Sequence, residues 1–158
     1  MRLVFYNLLV AGTSLAGGYL FAQLDPLFGW QSWPGRELPI VGLVVVLAGF
    51  MSRMLAHREF ERAKLTIFAI SGQTTFTQNG IYYYSRNPFY VGLVLQQVGA
   101  ALIWQSPSAL FAAGLYFLFW HIFLLVIEEP SLRARFGSGY TRYQQITPRW
   151  LGFGRSLK

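Results

Sequence analysis

Between Asn87 and Ile127 the chain runs for 41 residues without one Asp, Glu, Lys or Arg. A helix that crosses a bilayer needs about 20 apolar residues, so this stretch is long enough for two crossings. Near its middle lies Gln105-Ser106-Pro107-Ser108. Ser106 suits a helix N-cap and Pro107 a first helical position. The stretch therefore reads as an antiparallel hairpin of spanning helices, over about residues 88–104 and 107–127.

Two further spans precede it. Leu3 to Leu24 is an uncharged run of 22 residues. Gly12, Ala16 and Gly17 stand within it at the spacing of small residues where membrane helices touch. A basic Arg2 before an apolar run also resembles a signal peptide, but the run is long and further spans follow, so a retained helix is expected. Leu38 to Ser52 is uncharged for 15 residues, short for a crossing. Snorkelling of Arg53 would extend it to about Ala56. Trp30, Trp33 and Pro34 mark the intervening segment as an interfacial loop. The mixed charges of His57 to Lys64 read as a solvated helical face with local ion pairs. Leu65 to Ser85 is uncharged too. It nevertheless holds Ser71, Gly72, Gln73, Thr74, Thr75, Thr77, Gln78, Asn79 and Gly80, which mark a surface loop.

Composition agrees with a lipid solvent. Charged residues make up 12% and apolar ones 54%, against roughly 25% charged in soluble domains. The net charge is +7, but the bases sit between and after the apolar runs, which is the mark of membrane topology and not of nucleic-acid binding. Lys and Arg number five in 53–86 and six in 128–158, against one in 25–37 and none in 105–108. The positive-inside rule then places both termini and the central loop in the cytoplasm, and a bacterial inner membrane is the expected location. The absence of cysteine excludes disulfides and thiolate metal sites, and no metal is expected. The fold class read from these observations is all-α: one integral membrane helical bundle over residues 1–158, with about four transmembrane helices and a cytoplasmic C-terminal helical tail.

Ionisable groups at membrane depth are costly and default to functional roles. Glu128 and Glu129 close the last span, where acids oppose the helix dipole and repel each other. They require a cation, and Arg86, Arg133 and Arg149 are the candidates. His121 lies seven residues before Glu128, two turns up the same helix face, and reads as a buried hydrogen-bonded residue or a pocket wall. Gln96 and Gln97 read first as interhelical glue. In the tail, Pro130 suits a helix start and Gly137 a stop. Leu132, Phe136, Tyr140 and Tyr143 share one face if the helix resumes past Gly137, either packing on the bundle or walling a ligand site. Before the third span, Gly80 to Gly92 forms a basic, aromatic, proline-punctuated membrane entrance with Arg86 as its only charge.

Together these segments resemble the C-terminal region of the isoprenylcysteine carboxyl methyltransferases and the related phospholipid methyltransferases. The resemblance rests on Gly80, Tyr82, Arg86, Asn87, Pro88, Tyr90, Gly92 and Gly99, then, beyond an apolar hairpin, on Glu128, Glu129, Leu132, Phe136, Gly137, Tyr140, Tyr143, Pro148 and Arg149. It covers about residues 78–151. Asn87 stands where the eukaryotic prenylcysteine enzymes have His, and is similar to the bacterial and phospholipid-type relatives. The resemblance implies S-adenosylmethionine as cofactor, held by the last two helices and the cytoplasmic tail, and a hydrophobic or lipid acceptor entering from the bilayer. It implies Arg86 and Glu129 as catalytic residues, and Tyr82, Asn87, Pro88, Tyr90, Gly92, Glu128, Glu129, Tyr140, Tyr143 and Arg149 around the cofactor. The rival readings are a sterol-reductase-type enzyme using a nicotinamide cofactor and a small exporter. An exporter of this size typically carries an acid in its first helix, and Leu3 to Leu24 has none.

Overall fold

The computed structural model describes residues 2–63 and 76–152. The polar run Ser71 to Thr75 of the expected loop lies outside the described residues. Helix α1 (Arg2–Ala22) is followed by a 3-10 turn (Asp25–Phe28), and α2 (Leu38–Arg62) by a second (Gly80–Tyr83). Helices α3 (Pro88–Ile103) and α4 (Pro107–Phe123) form the expected hairpin. A π turn (Leu124–Glu128) joins α4 to α5 (Glu129–Ile146). The described residues form no strand, and three helical stretches are long and apolar enough to cross a membrane, Val4–Phe28, Leu38–Arg62 and Pro107–Ile146, with α3 a shorter apolar helix.

The hairpin turn follows from its sequence. Ser106 Oγ accepts from the Ala109 amide at 3.1 Å, and Pro107 takes the first helical position. Gln105 adopts a φ of 51°, which lets the chain reverse at once. The buried Asp25 carboxylate accepts a further α4 amide, that of Ser108, at 2.8 Å. This ties the end of α1 to the start of α4.

The closest helix pair is α2 against α3, and four glycines make it. A Cβ on Gly42 would lie 2.7 Å from the Gly99 carbonyl oxygen, and one on Gly99 equally 2.7 Å from that of Gly42. One on Gly49 would lie 2.7 Å from the Gly92 carbonyl oxygen. The pairs Gly42–Gly99 and Gly49–Gly92 run antiparallel with a spacing of seven residues on each helix. Backbones can approach this closely only where no side chain intervenes. Ser52 Oγ adds a bond to the Pro88 carbonyl at 2.7 Å. The small residues of α1 do not play the expected part. Nothing lies within 4 Å of a Cβ on Gly12 or Gly17, and it is Gly18 that packs, against Ala100 and Trp104.

Three further expectations need correction. Helix α2 does not stop near Ala56 but continues through Arg62, so residues 57–62 of the mixed-charge stretch are its last turns, and Lys64 lies outside the described residues. One ion pair stands there, Arg62 to Glu59 at 2.7 Å, but His57 is buried, edge-on to Tyr6 and Phe89. Arg53 does not snorkel. It is fully buried, its Nη1 donating to Gln96 Oε1 at 3.1 Å. Gln97 Nε2 donates to Ser14 on α1 at 3.1 Å, so both glutamines do join helices.

Candidate active site

The chain brings its two chemistry-bearing segments together at one end of the bundle. The segment before α3 and the tail after α5 are laced by main-chain bonds: Arg86 N donates to the Pro148 carbonyl at 2.9 Å, and Gly152 N to the Tyr84 carbonyl at 3.1 Å. Asn87 Nδ2 donates to the Arg149 carbonyl at 3.0 Å, and Ser85 Oγ supports the Asn87 amide at 3.0 Å. The Tyr143 hydroxyl donates to the Tyr82 carbonyl at 2.6 Å. Such a ladder fixes the height of Arg86 against Arg149 without any ligand.

Glu129 is the centre of the cluster, 1% exposed. Arg149 grips it with a two-point fork, Nε to Oε1 at 2.7 Å and Nη2 to Oε2 at 2.9 Å. Gln144 Nε2 donates to Oε2 at 3.1 Å. Arg86 Nη1 stands 2.9 Å from Oε1, an ion pair by distance but off the direction of a hydrogen bond. Arg86 therefore keeps its Nε and Nη1 without a hydrogen-bond acceptor among the described residues, although its side chain is only 7% exposed. Of the three candidate cations, Arg86 and Arg149 pair with the acid, while Arg133 is exposed on the outer side of α5. The neighbouring acid has its own donor: the Tyr90 hydroxyl bonds Glu128 Oε2 at 2.6 Å. The two carboxylates thus stand at separate sets of donors rather than sharing one.

The aromatic face of α5 forms as spaced, with the helix broken at Gly137 (φ 57°) and resumed beyond it. Phe76 enters this face, with ring centroids 5.0 Å from Phe136, 5.5 Å from Tyr140 and 5.6 Å from Tyr143. Burial, and then the charge of Glu129, push the Tyr140 phenol up to about 12. It stays protonated and able to donate. On α3, Tyr90 packs on Trp120 of α4 with ring centroids 4.7 Å apart.

Some sequence-selected residues find other duties. Gly92 faces Gly49 and Arg53 in the α2–α3 contact, away from Glu129. Pro88 is fully buried and gives its carbonyl to Ser52. His121 is half-buried and hydrogen-bonded, as expected, but its partner lies in the tail: Trp150 Nε1 donates to its Nδ1 at 3.1 Å. The π turn also breaks the two-turn relation to Glu128, because the Glu129 amide bonds back to the Leu124 carbonyl, five residues earlier. Sequence reasoning missed Trp150, Phe76 and Gln144. Trp150 had a usable signal, an indole beside the selected Arg149. Phe76 sits in a polar stretch and had none.

A bundle of helices able to cross a membrane that gathers two buried acids, two arginines and a set of aromatic rings at one end is a membrane protein with a polar cluster held between its helices and its tail. The comparisons place it further. The phospholipid methyltransferase family matches residues 38–139, well over half of the chain, and the chain belongs to that family. The match begins at α2, a helix in which the sequence alone shows no motif. Among curated proteins, a protein-S-isoprenylcysteine O-methyltransferase of Xenopus laevis is 29% identical over 127 residues, covering 77% of this chain and 43% of the frog protein. A probable protein-S-isoprenylcysteine O-methyltransferase of Oryza sativa subsp. indica is 30% identical over 133 residues, covering 79% of this chain and 69% of the rice protein. The chain thus spans less than half of the frog relative's length.

Proposed function

We propose that this protein transfers a methyl group from S-adenosylmethionine to a hydrophobic or lipid-like acceptor at the membrane. The observation that carries this reading is the buried Arg86, paired by charge with Glu129 yet retaining free donors. A methionine carboxylate would suit those donors, because N–H bonds from a guanidinium to an ionised oxygen are the strong ones. When bound there, S-adenosylmethionine supplies a methyl already activated by its sulfonium. The rest falls to the chain's own side chains. Glu129, engaged at both oxygens by Arg149, Gln144 and Arg86, holds the two cations in register. Glu128, beside it, would answer the cofactor's ammonium. Tyr90, Tyr140 and Tyr143 offer aromatic faces to cationic and planar groups. Tyr82, Asn87, Pro88 and Gly92 set the backbone on which these groups stand. Positioning and exclusion of water supply the catalysis.

The acceptor reaches this site from the bilayer. Both termini lie in the cytoplasm, on the evidence of the lysine and arginine counts, and the membrane is a bacterial inner membrane. The relatives named above are methyltransferases of S-isoprenylcysteine, so an isoprenyl thioether bearing a free carboxylate is the first acceptor to test. The full chain in detergent, incubated with methyl-labelled cofactor and a lipid extract, is expected to give a labelled lipid. Calorimetry with S-adenosylmethionine is expected to show binding that Arg86→Ala removes and Glu129→Gln weakens at least tenfold. Unchanged affinity in both variants would remove the assignment.

A further inference from the structure

Glu128 and Glu129 stand side by side, but cations answer only one of them. Glu129 meets Arg86 and Arg149, while the salt bridges among the described residues include none to Glu128. A single neutral donor serves Glu128, the Tyr90 hydroxyl at 2.6 Å from Oε2. Its Oε1 accepts no hydrogen bond among the described residues. Glu128 is 9% exposed, against 1% for Glu129. It is thus the acid of the pair that keeps both some surface and an unused oxygen.

A carboxyl taken out of water beside a like charge, with no cation of its own, favours the protonated form. Burial above all lifts the Glu128 carboxyl to about 7, with the charge of Glu129 adding to the lift and the Tyr90 bond opposing it. The groups around it are poorly suited to exchange protons near neutral pH. Tyr90 on α3, Tyr82 in the turn before it and Tyr140 on α5 are phenols, and Arg86 and Arg149 are guanidiniums that do not titrate. Glu129 already has its two cations. On α4, the His121 ring is engaged by Trp150 of the tail. A proton held on Glu128 is therefore the movable charge of the cluster.

We propose that Glu128 carries a proton in the empty site and that binding of the methyl donor expels it to the solvent, the donor's ammonium taking its place as the charge that answers the acid. This rests on the reading of S-adenosylmethionine as the donor and adds a coupling between its binding and one protonation. A neighbouring cation disfavours protonation of the acid, so donor affinity is full above the carboxyl's pKa in the empty protein and weakens as the pH falls through it. The full chain in an uncharged detergent is titrated with S-adenosylmethionine by calorimetry at pH 7, in buffers of different ionisation enthalpy that count the protons released. A carboxyl half protonated at that pH is expected to give up about half a proton per donor bound, and affinity is expected to fall about fivefold from pH 7 to pH 6. Infrared difference spectra are expected to show a protonated-carboxyl band disappearing on binding. Glu128→Gln keeps an acceptor for Tyr90 but has no proton to give. It is expected to bind more weakly, without that band and without most of the proton release. Should Glu128→Gln fail to fold, Tyr90→Phe carries the test: loss of the donor that favours the charged acid is expected to raise the release at pH 7 toward a full proton. Wild-type binding without proton release, or release undiminished in Glu128→Gln, would overturn the proposal and leave the methyl-donor reading standing. A wild-type chain that binds no S-adenosylmethionine at either pH would overturn both.

Discussion

Glu129→Gln removes one negative charge and leaves the shape of the side chain unchanged. The structure says what is left behind. Arg86, with a side chain 7% exposed, loses its ion-pair partner, and Arg149, 27% exposed, loses half of its fork. Removing one member of a buried ion pair costs about 3–5 kcal/mol, because the other charge stays buried and uncompensated. The partly wet Arg149 recovers some solvation, so the lower end applies, about 3 kcal/mol. For a chain of this size that is a fall in melting temperature of roughly 6–12 °C. Arg149→Met should cost less, about 1 kcal/mol, since Glu129 keeps Arg86 and Gln144 and the lost partner was the wetter one. Thermal unfolding of the full chain in one detergent, followed by tryptophan fluorescence, measures both. Equal losses in the two variants, or a loss under 1 kcal/mol for Glu129→Gln, would refute the argument that Glu129 is the buried hub of this cluster.

Other perturbations separate other links of the chain. Gly49→Leu drives a side chain into the Gly92 carbonyl and should cost about 1–3 kcal/mol through overpacking, lowering activity because Pro88 and Arg86 move with α3; unchanged melting and activity would contradict the glycine contact. Ser106→Ala deletes the α4 cap and should cost about 1 kcal/mol, measured by the same melt, with cofactor affinity untouched. Trp150→Leu loses the bond to His121 and should speed cofactor dissociation severalfold in stopped-flow displacement, with little change in melting; an unchanged off-rate would mean that the tail does not hold the site shut. Tyr90→Phe leaves Glu128 buried without its donor and should cost about 1–3 kcal/mol, read by melting, more than Tyr140→Phe in the same assay.

The sequence made the hairpin legible because its signals are local: a long uncharged run, a capping serine and a proline one position later. It also made legible that the twin acids need an arginine, since that argument concerns charge in a poor solvent and not distance along the chain. Burial of Arg53 was illegible for the opposite reason. Near the end of a short apolar run, snorkelling and burial read alike, and only the extension of α2 to Arg62 decides between them. The glycine contact is a case between. Gly42 and Gly49, like Gly92 and Gly99, are seven apart, but which glycines meet depends on the antiparallel pairing of α2 with α3. The stripe Gly12, Ala16, Gly17 carries an equally good local signal and borders a cavity at Gly17 instead.

The π turn at Leu124–Glu128 explains how adjacent acids come to serve different partners. Consecutive side chains on an α-helix diverge by about 100°, so an uninterrupted helix that aims Glu129 at Arg86 and Arg149 sets Glu128 by that angle alone. The wider turn adds a residue to the circuit, and such insertions into α-helices gather at functional sites. Here Leu124 stays fully buried, Glu128 meets Tyr90 on α3, and Glu129 opens α5 toward the tail. Deleting Val126, an exposed residue inside the turn, should restore a plain α-helix in which four residues span the circuit that five now span, so Glu129 keeps its direction toward Arg86 and Arg149. The bundle α1–α4 should survive, because α2, α3 and the capped start of α4 do not depend on the turn. Circular dichroism should therefore report near-native helicity, and calorimetry should show cofactor binding retained within severalfold. Binding lost in the deletion variant would mean that the wide turn itself, and not only the direction of Glu129, is needed to place the acids.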